Sequence, residues 1–543
     1  MAELLLIQPH TGTWDEMSIR PPESLLAVAN IPYHKGIDVK IIDQRVTPNF
    51  EEALAREIND QTKLIGITVI TGPQIKFALE VSQYLKSKAP HLPICWGGVH
   101  ATLVPEQTAA HPLVDFVIVG DGDFVFCELF ERLRDGRSVE DLRGLVHKTP
   151  QGDVRSNVGQ VEIIEGKSST RGQTISFVRR NGVADVIKNL DELPSLPYAL
   201  IDLGKYNVFV HKDGRTSCTF VTSRGCPFRC KFCSDPYINE GAWRGLSAEN
   251  VLTRVDYLYK EHGVRSIFFQ DDYFPGPLPR FLKILEGLKK YKRDLHWSTL
   301  GIRADTLSKL NDEQWDLLYE SGCFSLDIGI ESGNERVIKL VNKAETLDEM
   351  RATNRKLARY PIKVKYTLIV GYPGETEEEM NDTVRFALEL QDSNPNCFTV
   401  IFNYLPIIGT PFFQDAVKKG FKAPAKLEDW ANMEFDTWLR NYQSWSSPRL
   451  VKKLEAISFT SYFANANIAY KFNSPLLRFC FKLYHPVAKW RFRNQYWTHF
   501  IEFDLKELIF KVKFGLRRLL HTQNAALQEM RERMALTVFD TQQ

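Results

Sequence analysis

The sequence predicts an α/β protein in which two successive parallel-sheet domains are followed by a helical C-terminal region. Three observations support this fold class. Short apolar segments alternate with amphipathic helical segments in the N-terminal third of the chain, and the same alternation returns between residues 220 and 404. Beyond Gly420 the pattern is helical and rich in aromatic residues. Strands that alternate with helices form parallel βαβ units, so each of the first two parts is expected to contain a parallel sheet.

Five strands and an open, Rossmann-like sheet are expected in the first domain. The strand segments are Leu4–Ile7, Gly36–Asp43, Lys63–Ile70, Leu92–Trp96 and Val114–Val119, and a helix is expected near Pro22–Tyr33. Ligands on such sheets bind at the C-terminal ends of the strands. Two of these ends are rich in glycine, at Trp96–Thr102 and Val119–Asp123. Neither segment has the G-x-G-x-x-G pattern of a dinucleotide site.

A partial (β/α)6 barrel is expected in the second half of the chain, after a connector with little periodicity. The predicted strands are Phe220–Ser223, Arg265–Gln270, His296–Leu300, Cys323–Gly329, Val364–Val370 and Phe398–Tyr404, and Ala248–His262 is predicted as a helix. Functional residues of such barrels lie at the C-terminal strand ends. The predicted domains are residues 1–145, a linker at 146–205, a barrel at 206–420 and a helical domain at 421–543.

Composition excludes several classes of protein. The chain has 543 residues, of which 43% are hydrophobic and 25% charged, as is ordinary for globular domains. The net charge of +2 gives no argument for a nucleic-acid partner. Nine cysteines are an odd number, and three of them cluster, which favours a reducing cytoplasm over a disulfide framework. No apolar stretch approaches the roughly 20 residues of a membrane span, and the N-terminus lacks the basic region of a signal peptide.

The most informative motif is a cysteine triad. Cys226, Cys230 and Cys233 have the spacing C-x3-C-x2-C within eight residues. Three thiolates cannot supply the four ligands that structural zinc requires. On a four-iron, four-sulfur cluster they would leave one iron open for a small molecule, and soft thiolates suit iron–sulfur chemistry. The alternatives are a partial zinc knuckle or three unrelated buried thiols.

This loop, with Phe232 as the aromatic residue before the last cysteine, resembles the hallmark of the radical S-adenosylmethionine (SAM) superfamily. The resemblance implies a [4Fe–4S] cluster held by Cys226, Cys230 and Cys233, with SAM on the open iron. It also implies a low-potential electron donor of the flavodoxin or ferredoxin type. Further SAM contacts are expected, on the same basis, from Phe232 and from four residues at the predicted strand ends: Asp271, Arg303, Glu331 and Gly371. For each charged residue the alternative is an ordinary ion pair, and Arg303 is expected to pair with SAM or with Glu331.

The first domain resembles the cobalamin-binding domain that precedes the barrel in one radical SAM subfamily. The similarity rests on a G-G-x-H-x-T loop and a G-D-G-D turn, and it implies cobalamin contacts by Gly97, Gly98, His100, Thr102, Gly120 and Asp121. The turn departs from the family because aspartates replace the more usual glutamates. The D-x-H-x-x-G motif is absent, so no histidine is expected to ligate cobalt. The alternatives are a domain that has lost its ligand and, for His100, a buried structural role.

The resemblance implies a cobalamin-dependent radical SAM methyltransferase, which moves a methyl group from methylcobalamin to an unactivated carbon or a phosphinate through a 5′-deoxyadenosyl radical. A second hypothesis keeps both cofactors without methyl transfer, as in related tetrapyrrole cyclases and ring-rearranging enzymes. A third is a non-catalytic iron–sulfur sensor. The first two differ in whether S-adenosylhomocysteine is formed.

The C-terminal region is basic. Residues 451–543 contain 15 Lys and Arg against seven Asp and Glu, and two segments, Leu476–Tyr484 and Leu508–Leu520, alternate basic and apolar residues at helical spacing. One interpretation is a helical cap that packs on the barrel. The other is an interfacial helix on the inner face of the membrane, or a lid over a hydrophobic or lipid-like small-molecule substrate.

Overall fold

The computed structural model describes residues 2–12, 15, 18–149, 177–206, 215–433, 446–467 and 475–498. Within these ranges the protein contains two large sheets, as the predicted fold class requires. The segment Leu508–Leu520, for which an amphipathic helix was considered, lies outside the described residues. No helix in the described part of the chain is long and apolar enough to cross a membrane.

The first sheet has seven strands in the described residues, and their order is β2-β1-β3-β4-β5-β6-β7. Strands β1 to β5 pair in parallel, whereas β6 and β7 are antiparallel additions at one edge. The five predicted strands are all present, while β6 and β7 were not expected. The strands are β1 (Leu4–Gln8), β2 (Val39–Asp43), β3 (Leu64–Thr68), β4 (Ile94–Gly97), β5 (Phe116–Ile118), β6 (Leu145–Thr149) and β7 (Phe177–Arg180).

Helices cover both faces of this sheet, which explains why β1 and β3 read as continuous apolar runs. The chain leaves β1 for β2 on one side and returns to β3 on the other, so a crevice opens at the C-terminal strand ends between them. The two glycine-rich loops follow β4 and β5 at the same edge. The helices of this part are Glu23–His34, Phe50–Glu57, Gln74–Lys88, Val99–Leu103, Pro105–Ala110 and Asp123–Arg134.

The second sheet has six parallel strands in the order β15-β14-β13-β12-β11-β8. It curves as the open, partial barrel that the sequence predicted, and a two-stranded ribbon of β9 and β10 lies beside it. The strands are β8 (Ser217–Phe220), β9 (Ser223–Arg224), β10 (Arg244–Gly245), β11 (Ser266–Phe269), β12 (His296–Ile302), β13 (Cys323–Glu331), β14 (Lys363–Val370) and β15 (Cys397–Asn403).

Helices connect successive strands of the second sheet and pack on its outer face. Several begin at side-chain caps, and those at Thr346 and Thr376 form complete capping boxes with the glutamates three residues later. The α-helices are Asp235–Ile238, Ala248–Glu261, Leu278–Lys289, Ala304–Leu307, Asp312–Glu320, Glu335–Leu340, Leu347–Leu357, Glu377–Ser393 and Pro411–Lys418, and short 3-10 helices lie at Leu190–Glu192, Tyr198–Leu200, Leu203–Lys205 and Glu428–Asn432.

Two C-terminal helices, Pro448–Phe463 and Pro475–Asn494, follow the barrel. The first runs along the free edge of β15, where the hydroxyl of Ser461 accepts a hydrogen bond from the amide of Ile401. The second packs beside it through Phe481, Ala488 and Phe492, which are buried. This packing agrees with the predicted helical cap. The domain boundaries at residues 145, 205 and 420 stay predictions.

The chain between the barrel and these helices returns to the first domain. Phe421, Leu427, Trp430 and Met433 belong to the same buried apolar cluster as strands β1, β3 and β4. The indole of Trp430 donates a hydrogen bond to the side chain of Gln107 at 2.6 Å, and the Gln107 amide donates to a backbone carbonyl in the returning segment. The two sheets are therefore tied together by this segment as well as by their direct contact.

Candidate active site

The cysteine loop follows β9 and lies at the C-terminal end of the barrel strands. Two hydrogen bonds tie it to the segment 341–342: the amide of Lys231 donates to the carbonyl of Val341, and the Asn342 side chain donates to the carbonyl of Arg229. Gly225 enters the loop at φ +83°, where a Cβ atom would lie 2.0 Å from the carbonyl oxygen of Ala242, so only glycine fits. The sequence places the loop here because it directly follows a barrel strand.

The three thiols of this loop are partly buried. Burial raises the pKa of Cys226 to about 11 and also raises the pKa of Cys230 and Cys233. An iron ion would reverse this tendency, because a metal deprotonates the thiols that ligate it. Within the described ranges, no three His, Cys, Asp or Glu side chains converge as the ligands of a single ion would.

Asp271, at the end of β11, lies beneath the loop. One carboxylate oxygen accepts hydrogen bonds from the amide and hydroxyl of Thr222 at 2.9 and 2.8 Å and from the hydroxyl of Ser223 at 2.5 Å. The residue is fully buried, and burial raises its pKa to about 6. Asp271 thus fixes the turn that leads into the cysteines. Its contact with SAM stays a prediction, and the neighbouring Asp272 is the more exposed of the two carboxylates.

Arg303 and Glu331 belong to one buried charge network, although they do not pair with each other. Lys343 lies between two carboxylates, 3.2 Å from Glu331 and 3.5 Å from Glu345. Arg303 lies 3.7 Å from Glu345 and donates a hydrogen bond to Asp305 at 2.9 Å. Burial lowers the pKa of Lys343, but the two carboxylates outweigh it and raise the pKa above its usual range.

This network borders the cysteine loop. The guanidinium of Arg303 stacks 3.6 Å from the ring centre of Phe228, and the charges of Lys343 and Glu331 act on Cys230. Glu331 has φ +68° at a register shift of β13, a strained conformation that a non-glycine residue adopts at functional sites. Lys343 and Glu345 were not predicted, because they come from a loop rather than from a strand end.

Gly371 and Phe232 lie on the opposite wall of the same strand-end region. Gly371 has φ +89°, and its amide donates to the Glu375 carboxylate at 2.6 Å. Burial raises the pKa of Glu375 to about 8, so this carboxyl is largely protonated at neutral pH. Tyr372 packs against Phe232 at 5.7 Å between ring centres. These residues shape an apolar wall, and their contacts with SAM stay predictions.

A cavity of about 660 Å³ opens at the C-terminal strand ends of the first sheet. Its size is typical of small-molecule sites. Of the predicted cobalamin contacts, Gly97, Gly98, Gly120 and Asp121 line it. A Cβ atom at Gly97 or Gly120 would meet nothing within 4 Å, so the backbone there is open to a ligand. Gly98 is required for a different reason, since a Cβ atom would lie 2.8 Å from the carbonyl oxygen of Val69.

His100 and Thr102 lie behind this cavity rather than in its lining. The His100 ring is buried, lies 3.0 Å from the hydroxyl of Thr71 and packs edge-on against Trp430. Burial lowers the pKa of His100 to about 3, so the imidazole is neutral. The Thr102 hydroxyl accepts a hydrogen bond from the amide of Gly120 and holds the glycine turn. Both residues therefore support the loops, and a direct contact with cobalamin stays a prediction for each.

Comparison with known proteins agrees with this geometry. Residues 220–387 match the radical SAM superfamily, and residues 19–130 match the B12 binding domain. The chain is a radical SAM protein with a B12-binding domain. It is 27% identical to an uncharacterized methyltransferase of Pyrococcus horikoshii over 83% of this chain and 91% of that one. It is 24% identical to the cytidylyl-2-hydroxyethylphosphonate methyltransferase of Streptomyces wedmorensis, over 66% of this chain and 68% of that one.

The fold of the radical SAM protein also matches a solved structure. The cobalamin-dependent S-adenosylmethionine radical enzyme OxsB with aqua-cobalamin bound aligns with a TM-score of 0.67 at 17% identity, over 98% of this chain and 78% of that one. The predicted fold class and family are therefore confirmed. So are the three predicted cofactors, the [4Fe–4S] cluster, SAM and cobalamin. The residues that contact SAM and cobalamin stay predictions.

Two arginines of the radical SAM protein join the two cofactor regions. Arg224, two residues before the first cysteine, makes a bidentate pair with Asp123 at 2.8 and 2.9 Å and lies 3.1 Å from Asp121. Arg244 reaches the same Asp121 at 2.6 Å. Burial raises the pKa of Asp121, but the two guanidinium groups outweigh it and lower the pKa overall. The aspartates of the G-D-G-D turn thus bind the barrel, which the glycine pattern alone did not reveal.

The residues present fit SAM and cobalamin, and the loop offers three free thiols of the soft kind that suits an iron–sulfur cluster. Glycine backbone, apolar side chains and charged groups such as Arg20, Glu23 and Arg45 line the cavity of the first sheet, and its described lining contains no histidine, which suits a corrin held without a histidine ligand. In the barrel, buried polar atoms remain without hydrogen-bond partners in the described structure, among them Oδ2 of Asp271 and Oε1 of Glu375. Buried polar groups in native proteins are normally satisfied, so these atoms indicate that a polar ligand belongs here.

Proposed function

We propose that the radical SAM protein is a cobalamin-dependent methyltransferase that acts on an unactivated carbon or a phosphinate of a small molecule. When bound, the cluster and SAM supply a carbon-centred radical, and cobalamin supplies the methyl group that the product gains. The relatives named as methyltransferases support this assignment.

One observation carries the proposal: the two cofactor regions share a single cavity. The space at the strand ends of the first sheet is lined on one side by Gly97 and Gly120. On the other side it is lined by Val221, Ser223 and Gln270, which follow barrel strands. Cobalamin held in this space would therefore face the barrel strand ends where SAM is expected, as transfer of its methyl group to a substrate radical requires.

The chain's own residues have three tasks in this proposal. Cys226, Cys230 and Cys233 would hold iron. Arg303 and the Lys343 network would bind the polar groups of SAM, since ammonium and carboxylate groups complement its zwitterionic end. The interdomain arginine–aspartate pairs would keep the two cofactors at a fixed separation.

Product analysis tests the proposal. Anaerobic protein reconstituted with iron, sulfide and hydroxocobalamin is mixed with SAM and dithionite, and S-adenosylhomocysteine and 5′-deoxyadenosine are quantified. We expect both products. Cys230→Ser should abolish 5′-deoxyadenosine because the cluster loses a ligand. Cys480→Ser is the matched control, since Cys480 is exposed and lies in the C-terminal helix far from the triad in sequence.

The other two hypotheses correspond to different results of the same assay. Formation of 5′-deoxyadenosine without S-adenosylhomocysteine would support a cyclase or rearranging enzyme instead. Absence of both products from protein with an intact cluster would support a sensor without catalysis. Omission of cobalamin should remove S-adenosylhomocysteine in the methyltransferase, whereas neither alternative forms this product with or without cobalamin.

We also propose that the helix Pro475–Asn494 lies on an anionic membrane surface. Its outer face carries four apolar side chains, Phe479, Leu483, Val487 and Trp490, which are between 44% and 63% exposed. The helix contains five Lys and Arg and no Asp or Glu. A helix face with exposed apolar side chains flanked by cations is typical of helices that bind an anionic lipid surface. A hydrophobic or lipid-like substrate would be consistent with this location and stays a prediction, as does the flavodoxin- or ferredoxin-type electron donor.

Cosedimentation with vesicles tests the membrane contact. We expect binding to vesicles that contain phosphatidylserine and little binding to vesicles of phosphatidylcholine alone. Leu483→Glu should abolish sedimentation, whereas Val183→Glu, at an exposed apolar residue outside this helix, should not. Equal binding of both variants, or self-association without vesicles, would contradict the proposal.

A further inference from the structure

The inner face of the partial barrel is a water-accessible chamber. Along β14, residues alternate strictly between partly exposed and buried. Val364 and Tyr366 pack outward against helices, so Lys363, Lys365 and Thr367 face inward. The same alternation turns Asp327 of β13 inward. On β12 it turns Leu300 inward, and 39% of that side chain is exposed. Inward residues of a packed barrel would be buried, so this barrel has interior space.

Charged side chains lie in this chamber. Lys365 and Asp327 occupy paired positions on neighbouring strands and form an ion pair at 3.1 Å. Their side chains are 27% and 25% exposed, so a ligand can reach both. Lys363 lies deeper and contacts the ring of Phe324 at 4.6 Å.

A third cation enters from the other domain. Arg20 lies in the segment before the first long helix, and its guanidinium stacks 4.7 Å from the ring centre of Phe268 on the inner face of β11. No carboxylate of the described structure forms an ion pair with it within 4.0 Å, although Asp327 and Glu23 are its nearest opposite charges. Burial lowers the pKa of Arg20, as expected for a cation that has lost water without gaining a partner.

A buried polar atom also points into the chamber. Ser298 lies between Trp297 and Thr299, whose side chains face the helices, so its hydroxyl faces inward. The hydroxyl oxygen is buried and has no hydrogen-bond partner within the described residues. Ser298 is the strand partner of Phe268, the residue on which Arg20 stacks. An unsatisfied hydroxyl next to that ring is expected where a polar ligand completes the site.

We infer that this chamber binds the anionic group of the substrate, a phosphate, phosphonate or carboxylate, through Arg20 and Lys365. The inference rests on the proposed function, because it treats the chamber below the SAM site as the substrate site. Arginine and lysine are the residues that bind such oxyanions most strongly.

Charge balance favours an anion over a cation. Among the described residues, Arg20 and Lys365 lie close to two carboxylates, Asp327 and Glu23. Burial raises the pKa of Glu23 to about 7, so this carboxyl is only partly ionised at neutral pH. The excess positive charge would be neutralised by an anion and increased by a cation. In this arrangement Asp327 holds Lys365 in place and competes with the ligand for it.

Titration with three matched probes tests the inference. Protein reconstituted with cluster, cobalamin and SAM is titrated calorimetrically with benzylphosphonate, benzyl alcohol and benzylamine. We expect benzylphosphonate to bind most tightly. Arg20→Met should weaken it by about tenfold, the loss typical of one charge-assisted contact. Asp327→Asn should tighten it several-fold, because Lys365 is then released from its competitor.

Lys40→Met is the control, because Lys40 is an exposed lysine on β2 with only a distant carboxylate partner. It should bind benzylphosphonate as the native protein does. Retention of cluster and cobalamin absorbance would show that Arg20→Met is folded. Preferential binding of benzylamine, weaker binding by Asp327→Asn, or no binding of benzylphosphonate at millimolar concentration would each overturn the inference.

The result is independent of the product assay. If S-adenosylhomocysteine is formed but the probes do not follow the expected order, the anion site is wrong and the methyltransferase stands. If the probes follow the order and no S-adenosylhomocysteine is formed with any substrate, the methyltransferase is wrong and the anion site stands.

Discussion

The ion pair between Arg224 and Asp123 is expected to stabilise the contact between the two domains. We expect Asp123→Ala to destabilise the protein, because it leaves a guanidinium at the interface without its bidentate partner. The Asp123 side chain is 3% exposed and the Arg224 side chain 22%. The pair is therefore mostly shielded from solvent, unlike the surface pairs on the same helix.

The expected magnitude follows from this burial. Removal of one partner of a fully buried ion pair costs roughly 3–5 kcal/mol. Arg224 keeps Asp121 at 3.1 Å and some contact with water, so we expect about 2–3 kcal/mol for Asp123→Ala. A double-mutant cycle with Arg224→Met should give a coupling energy of about 2 kcal/mol.

Urea unfolding followed by tryptophan fluorescence provides the measurement, since a cycle isolates the pair from other contributions to stability. The control cycle uses Arg134 and Asp135, which form an exposed pair at the end of the same helix. That pair should show no measurable coupling. Equal coupling energies for the two cycles would refute the reasoning. Retention of cobalamin with loss of S-adenosylhomocysteine in Asp123→Ala would further indicate that the pair sets the separation between cofactors.

Three further predictions concern single residues. Burial raises the pKa of Asp271 to about 6, so the native state keeps this proton at pH values where the unfolded state has lost it. The free energy of unfolding should therefore fall by up to about 3 kcal/mol as the pH rises from about 4 to 6. Urea titrations of Asp271→Asn should not show this fall. Lys343→Met leaves Glu331 and Glu345 without their cation, so the affinity for SAM, measured by equilibrium dialysis, should fall more than tenfold while iron content is unchanged. The electron paramagnetic resonance spectrum of bound cob(II)alamin should show no splitting from a nitrogen ligand, and His100→Ala should give the same spectrum. Nitrogen splitting that is present in the native protein and absent from the variant would show that His100 coordinates cobalt.

Much of the fold could be predicted because buried parallel strands have a clear signature. Strands β1 and β3 are covered on both faces and therefore appear as uninterrupted apolar runs. Strands β6 and β7 were missed for the opposite reason. They are antiparallel edge strands that end in His147–Thr149 and Arg179–Arg180, and a long segment separates them. Nothing local to either sequence shows that the two pair.

The site was predictable where residues follow strands, and not where loops fold back over them. Glu331 is the last residue of β13 and Asp271 lies two residues after β11, so periodicity placed them at the correct edge. Lys343 and Glu345 follow a short helix, and their position beside Cys230 depends on how the loop closes over the barrel. Asp121 was expected to contact cobalamin because its G-D-G-D turn resembles that of the cobalamin-binding subfamily. Its pairing with two arginines depends on how the domains dock, which sequence pattern does not encode.

The return of residues 421–433 to the first domain has a consequence for biosynthesis. Trp430 and Met433 complete the apolar cluster of a sheet whose parallel strands all precede residue 119. About 300 residues must be translated in between, which takes on the order of 15 to 60 s at typical elongation rates. During that interval the first sheet would expose the surface that Trp430 later covers, including the side of His100. Final closure of the cobalamin domain must therefore wait until the barrel has left the ribosome.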